Sequence, residues 1–225
     1  VLPATAANIS RCAQTLRDGG LIAMPTETVY GLAADAANAR AVAAIFETKA
    51  RPQINPLICH VASPAQAFDL GQFDAHARRL AETFWPGPLT LVVPRGASCP
   101  VSDLASAGLP TLALRCPDHH VAQALLGEMR GPLVAPSANP SGRLSPSEAA
   151  HVAAHLPDID VLDGGICAVG LESTIIGCLD AAPTLLRSGG IEREKIETCL
   201  GMPLRDLPKD ADSAARRAPR RRCQP

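Results

Sequence analysis

The sequence predicts an α/β domain in which a twisted, mixed parallel and antiparallel sheet is flanked by helices. Three observations point there. Short apolar runs of strand character alternate with segments of helical apolar spacing. Their order lacks the strict strand–helix–strand rhythm of an all-parallel sheet. Finally, 17 glycines and 21 prolines divide the 225 residues into short elements. With 47% hydrophobic and 19% charged residues the chain can fill one substantial core, which excludes disordered, collagen-like and coiled-coil architectures. No apolar run reaches the ~18 residues needed to span a bilayer. The opening VLPATAANISRCAQTLRDGG has no basic stretch followed by an unbroken apolar run, so no signal peptide and no membrane partner are expected. A cytoplasmic location is the default.

Ile9, Cys12, Ala13 and Leu16 recur at helical spacing, and the segment closes at Gly19-Gly20, which tolerate the left-handed conformation that ends helices. A short strand, LIAM, follows and stops at Pro25. After a Thr-rich turn, Asn38 is placed to cap a helix carrying Ala41, Val42, Ile45 and Phe46 on one face, which delivers Lys49 and Arg51 at its end. PLICHVA reads as a buried strand, 64–70 and 74–84 as helices, and LTLVV and TLALRC as strands. Residues 118–126 read as a helix and PLVAPS as a strand running into a Pro/Ser/Asn/Gly loop. Ser145-Pro146-Ser147-Glu148 is expected to open a helix, with proline at a tolerated early position. IDVLD, STIIGCL and PTLLR read as strands and 192–200 as the last helix. There is no internal repeat and no linker before about residue 205, so 1–205 is expected to form one domain and 206–225 a basic, flexible tail.

The net charge of −1 conceals an asymmetry: residues 209–225 hold six basic and two acidic residues, leaving 15 basic and 20 acidic in the body. An acidic body binds a phosphate backbone poorly, so any contact with nucleic acid is expected in the tail or a local groove. The eight cysteines form no CxxC, and the nearest two are eleven positions apart. A zinc ribbon or thioredoxin-like site is therefore not expected, and buried, reduced thiols are.

Polar residues just past the ends of apolar strands are where α/β sheets gather ligands. They recur in PTETVYGL (25–32), in KARP (49–52) with Asn55 and His60, in 111–115, in SANPSG (137–142), and in EST (172–174) followed by RSGG (187–190). Arg115 and Arg187 each end an apolar strand, where a guanidinium needs an anionic partner. Lys49 and Arg51 could complement a helix dipole or an anion. The PSANPSG segment could cradle phosphate or be a plain turn. His60 lies in an apolar strand, where a histidine is more often a satisfied core residue than a catalyst. There is no GxxxxGK[ST] loop, GxGxxG, GxSxG or Cys/His nucleophile pair, and His119-His120 lacks a third metal ligand, so no metal site is expected. Any reaction would rest on positioning and charge stabilisation.

Seven blocks, in order, carry a family likeness: PTETVYGLAAD, KARPQINPLICHV, FWPGPLTLV, TLALRCP, APSANPSG, LESTI and LLRSGGI. Between about residues 8 and 200 the chain resembles the YrdC-type L-threonylcarbamoyladenylate synthases, in their short single-domain form. The resemblance implies a YrdC-like sheet with a concave ligand cleft. It also implies condensation of L-threonine, bicarbonate or CO2, and ATP to threonylcarbamoyl-AMP and pyrophosphate, for N6-threonylcarbamoyladenosine in tRNA. On the matching positions, Thr28, His60, Arg115, Ser137 and Ser173 would hold threonine. Lys49, Arg51, Asn55, Thr111, Asn139, Ser147 and Arg187 would hold ATP, which brings Mg2+. Catalysis would fall to Lys49, Arg51, His60 and Arg187, with a downstream threonylcarbamoyl transferase complex as partner and tRNA as a possible contact. The competing readings are a non-catalytic RNA-binding module, disfavoured by the acidic body, and a carbamoyl-transfer domain of the hydrogenase-maturation type, whose CxxC pairs are missing.

Overall fold

The computed structural model describes residues 1–207 and places eleven strands in one sheet. In chain order the strands are β1 (Leu2–Pro3), β2 (Ile22–Met24), β3 (Gly31–Asp35), β4 (Ile58–His60), β5 (Leu89–Pro94), β6 (Thr111–Arg115), β7 (Leu133–Val134), β8 (Asp160–Asp163), β9 (Thr174–Gly177), β10 (Thr184–Arg187) and β11 (Arg205–Asp206). The helices are α1 (Ala6–Arg17), α2 (Ala39–Thr48), α3 (Pro64–Leu70), α4 (Ala75–Phe84), α5 (His120–Met129), α6 (Ala149–His155) and α7 (Arg193–Leu200). The strand order is β1-β8-β2-β3-β7-β4-β6-β5-β9-β10-β11. Parallel and antiparallel pairings are equally frequent, so the sheet is mixed.

Strand alternation divides the core into two layers. Ala23, Leu32, Ala34, Cys59, Leu91, Leu114, Val134 and Ile176 point into the larger cluster, with the buried faces of α2, α3, α4, α6 and α7. Their strand neighbours Ile22, Met24, Ala33, Leu133 and Leu162 point the other way, into a smaller cluster closed by α1 and α5. α1 buries Ile9, Cys12, Ala13 and Leu16, and α2 buries Ala41, Val42, Ile45 and Phe46, the two stripes expected. Each large aliphatic side chain so buried contributes on the order of 1.5–3 kcal/mol. The Asn38 side chain caps α2 by accepting from Arg40 N and Ala41 N. In the smaller cluster the helices cover only the β8-β2-β3-β7 part of the face, and among the described residues no helix covers its continuation over β4-β6-β5-β9-β10.

Several elements differ from expectation. β3 is built of GLAAD, which has no β-branched residue, and it forms because it is held between β2 and β7. Close packing demands its glycine, since a Cβ on Gly31 would lie 2.9 Å from Ala135 Cβ. Residues 145–148 do not open a helix, and α6 begins at Ala149. The Pro146 and Ser147 carbonyls accept from Tyr30 N and Cys167 N (2.8 Å each), so this stretch is committed to neighbouring loops. α5 starts at His120 and ends at Met129, later at both ends than expected, and is closed by Arg130 at φ +55. The expected boundary at 205/206 falls inside β11, which pairs with β10 and is tied to α7 by an Arg193–Asp206 ion pair. The rest of the expected tail lies outside the described residues. Among them all seven cysteines are free, six of them buried, and no helix is long and apolar enough to cross a membrane.

Candidate active site

The uncovered sheet face carries the candidate site. On β4, Ile58 and His60 share that face; on β6, Thr111, Ala113 and Arg115 do; on β5, Thr90 and Val92. A cavity of about 290 Å³ opens over it, floored by Ile58, Val92, Ala113 and Ile175 and edged by Arg51, Ser137, Glu172 and Arg187. Three residues assigned from sequence thus meet at one cavity although they span 137 positions. Larger surface hollows, one bounded by Arg17, Glu128 and Arg130, lie among residues with no assigned chemistry.

Arg187 is fixed from two sides. Its Nη1 is 2.7 Å from Glu172 Oε2, while Nε and Nη2 donate to the Ser173 carbonyl at 3.1 and 2.9 Å. Nη2 also donates to Ser173 Oγ at 3.0 Å, and that hydroxyl pairs with Thr90 Oγ1 at 2.8 Å. Glu172 Oε1 accepts from Ser145 Oγ at 2.7 Å. The LLRSGG turn can approach this closely only with glycine, because a Cβ on Gly189 would meet the Glu172 carbonyl oxygen at 2.2 Å. Arg51 reaches the Pro56 carbonyl at 3.4 Å, and its Nε is buried without a partner. Burial pulls the guanidinium pKa values of Arg51 and Arg187 down, and their mutual repulsion lowers that of Arg51 further.

Lys49, at the C-cap of α2, is only 2% exposed. Its Nζ donates to the carbonyls of Ser137 and Asn139, and its own carbonyl accepts from Ser141 N at 3.0 Å. It pins the PSAN loop to the end of the helix and is not among the cavity-lining residues. Burial first, then the Arg51 charge, lowers its pKa to about 8. Asn139 serves the same loop, donating to the Pro140 and Arg143 carbonyls at 3.1 and 2.8 Å, with Oδ1 buried and unpartnered.

The strand ends beside the cavity are drier. Arg115 and His60 are register partners on β6 and β4. Arg115 Nη2 lies 2.7 Å from Glu27 Oε1, with side chains only 4% and 8% exposed. Arg115 Nε reaches the Gly87 carbonyl at 3.4 Å. Desolvation, reinforced by Arg115, drives the His60 pKa down to about 3, so the imidazole is neutral at physiological pH. Thr28 is fully buried, its hydroxyl 2.9 Å from that of Thr26. Among the remaining assigned residues, Thr111 begins β6 on the cavity face. Asn55 is exposed on the loop between Arg51 and Pro56, and Ser147 contributes its carbonyl to Cys167.

Sequence reasoning gave no role to Thr90, nor to Glu27 and Glu172, although both carboxylates lie in loops it singled out. The signal for the two carboxylates was positional, since each immediately precedes an assigned hydroxyl residue, Thr28 or Ser173.

The profile of the Sua5/yciO/yrdC family, described as telomere recombination, matches residues 14–189. A threonylcarbamoyl-AMP synthase of Bacillus subtilis (strain 168) is 47% identical over 196 residues, which cover 86% of this chain and 56% of the relative. Another, from Pyrococcus abyssi (strain GE5 / Orsay), is 46% identical over 189 residues, covering 83% and 55%. The crystal structure of P. abyssi Sua5 complexed with L-threonine is similar with a TM-score of 0.86 at 44% identity, covering 90% of this chain and 59% of that one. The chain therefore spans about half the length of these two curated relatives. With the sheet order, the loop residues at its strand ends and the profile match lying on the same stretch of chain, the protein belongs to the Sua5/YrdC family.

Proposed function

We propose that this domain is a threonylcarbamoyl-AMP synthase, a nucleotidyltransferase that condenses L-threonine, bicarbonate or CO2, and ATP into threonylcarbamoyl-AMP and pyrophosphate. The observation that carries the reading is the cavity edged by Arg51 and Arg187, bordered by the strand ends that bear Arg115 and His60. Cations on one side suit a triphosphate, and a guanidinium in a dry corner with donors left over from its contact with Glu27 suits a small carboxylate.

In this reading the triphosphate lies over Arg51 and Arg187, whose charges stabilise the phosphoryl transition state, with Lys49 holding the Ser137–Asn139 carbonyl turn against it. Thr111, Asn55, Asn139 and Ser147 border the rest of the nucleotide. L-Threonine, the ligand crystallised with the P. abyssi relative, sits with its carboxylate on Arg115 and among Thr28, His60, Ser137 and Ser173. Threonine arrives as a zwitterion, and its ammonium group must give up a proton before the amine can take up CO2. His60, itself neutral, can accept a hydrogen bond from that amine without adding charge. The carbamate oxygen then attacks the α-phosphorus as pyrophosphate leaves.

Mg2+ that accompanies a nucleotide is held mainly by the phosphates and water, and the one carboxylate edging the cavity among the described residues, Glu172, is engaged by Arg187 and Ser145. Mg2+ would arrive on ATP as part of the substrate. The product, an activated mixed anhydride, would pass to a transferase acting on tRNA in the cytoplasm.

Incubation with ATP, bicarbonate and isotopically labelled threonine should yield the mixed anhydride by mass spectrometry and one pyrophosphate per anhydride. Pyrophosphate release that does not depend on threonine would overturn the reading.

A further inference from the structure

Glu27 has no part in the roles above, yet its carboxylate is poorly compensated for its depth. It is 6% exposed, and no described residue gives either of its oxygens a hydrogen bond. Arg115 Nη2 approaches to 2.7 Å but outside hydrogen-bond geometry, so the contact is charge against charge only. Neighbouring hydroxyls do not help, since that of Thr26 is occupied by Thr28 and by the Val29 carbonyl. Arg115 is equally underused: it is 3% exposed and makes one long bond to Gly87. A buried ion pair with unspent donors and acceptors on both partners costs more in desolvation than its attraction returns, and apolar side chains of the same volume would be cheaper. Such a pair becomes favourable once a ligand supplies the missing hydrogen bonds without changing the net charge.

We propose that Glu27 and Arg115 form a two-sided head-group socket for an α-amino acid, Arg115 taking the α-carboxylate and Glu27 the α-ammonium group. This rests on the reading of the domain as an enzyme that uses threonine. A zwitterion carries its opposite charges on a single carbon centre, so it can meet both halves of the pair at once and leave the buried charge balanced. A carboxylic acid without the amine sets a second anion against Glu27, and an amine without the carboxylate sets a second cation beside Arg115. Both are penalised in a desolvated corner. Neutral His60 beside Arg115 and the Thr28 hydroxyl next to Glu27 add no charge that would upset this balance. The socket therefore selects for the amino-acid head group, separately from whatever reads the side chain.

Calorimetric titration in the presence of ATP tests this with L-threonine, 3-hydroxybutanoate (the same frame without the ammonium) and threoninol (without the carboxylate). In the wild-type protein each analogue should bind roughly ten- to a hundredfold more weakly than threonine, the loss expected for one charge-assisted hydrogen bond. In Glu27→Gln, threonine should weaken towards 3-hydroxybutanoate while 3-hydroxybutanoate holds or improves, because the repelling charge is gone. Equal binding of threonine and 3-hydroxybutanoate by the wild type overturns the proposal, a result that requires no variant to fold. So does an equal loss for both ligands in Glu27→Gln, which would make Glu27 only a prop for Arg115. Wild-type protein that binds ATP but none of the three ligands would remove the threonine-enzyme reading and the socket with it. Binding of threonine without discrimination removes the socket alone.

Discussion

Two arginine–glutamate pairs of equal length stand at this site in opposite surroundings. Arg187–Glu172 and Arg115–Glu27 both close to 2.7 Å, but the side chains of the first pair are 36% and 37% exposed and those of the second 4% and 8%. The first is threaded into hydrogen bonds with Ser173 and Ser145, whereas the second has almost none. Solvent screens the first pair, so it is worth about 0–1 kcal/mol and an incoming phosphate can replace the carboxylate at little cost. The second cannot be separated without leaving a bare charge in the core. On the proposed reading, the same two residue types make an exchangeable anion seat at the cavity edge and a fixed, selective one behind it.

The largest effect should come from breaking the buried pair on one side. Arg115→Ala should lower unfolding free energy in urea by about 3–5 kcal/mol, because it strands Glu27, while the Arg115→Met, Glu27→Met double variant recovers most of it. Arg187→Ala should cost less in the same assay, because the carboxylate it leaves behind, Glu172, is 37% exposed and keeps its bond from Ser145. Equal losses at the two arginines would dissolve the distinction.

Catalysis should show the reverse asymmetry between stability and rate. Arg187→Ala and Lys49→Ala should each slow pyrophosphate release by roughly 10²–10³-fold. Near-normal turnover in either variant would refute the phosphate-side assignment.

Acidity sharpens the contrast. The Lys49 pKa is lowered from 10.5 to about 8, so ATP-dependent turnover should decline as pH rises through about 8 and the ammonium is lost. Stability has the opposite sign: between about 8 and 10.5 the unfolded chain binds more protons than the folded one, and the fold gains stability as pH rises across that window. ATP binding above pH 8 should take up a proton, measurable by calorimetry in buffers of different ionisation enthalpy.

In the pH–rate profile the smallest expected signal is at His60. With a folded pKa of about 3 against 6.5 unfolded, its contribution to stability is lost as pH falls from 6.5 towards 3. The pH–rate profile should therefore lack an inflection near 6.5 from this group. Unchanged threonine kinetics in His60→Ala would remove it from the mechanism.

Much of the fold was legible because local chemistry and tertiary packing agree. The α1 and α2 stripes are periodic, Asn38 is a good cap, and the strands LTLVV and TLALR are apolar enough to be buried whatever surrounds them. β3 was not legible, since GLAAD has no strand propensity and is extended only because β2 and β7 hold it. The helix expected from Ser145 failed for the matching reason: its carbonyls are claimed by Tyr30 and Cys167, which are remote in sequence. Of the site, the cations at strand ends could be read, because an arginine closing an apolar strand requires an anion. The two carboxylates could be placed in candidate loops, but which arginine each would face could not be read, since neither Glu27 nor Glu172 lies near its arginine in the chain.

The sequence by itself determined which residues could carry charge and hydroxyl chemistry, and that they would sit in loops at the ends of buried strands, because burial and turn formation are properties of short segments. Only the tertiary structure decided that one sheet face is left bare of helices over β4-β6-β5-β9-β10, that Arg51 and Arg187 share a cavity there, and that Arg115 faces Glu27 in a dry corner. Those outcomes depend on strand order and on distances between segments far apart in the chain. Solvent exposure, which separates a weak ion pair from a costly one, exists only after the chain has closed around it.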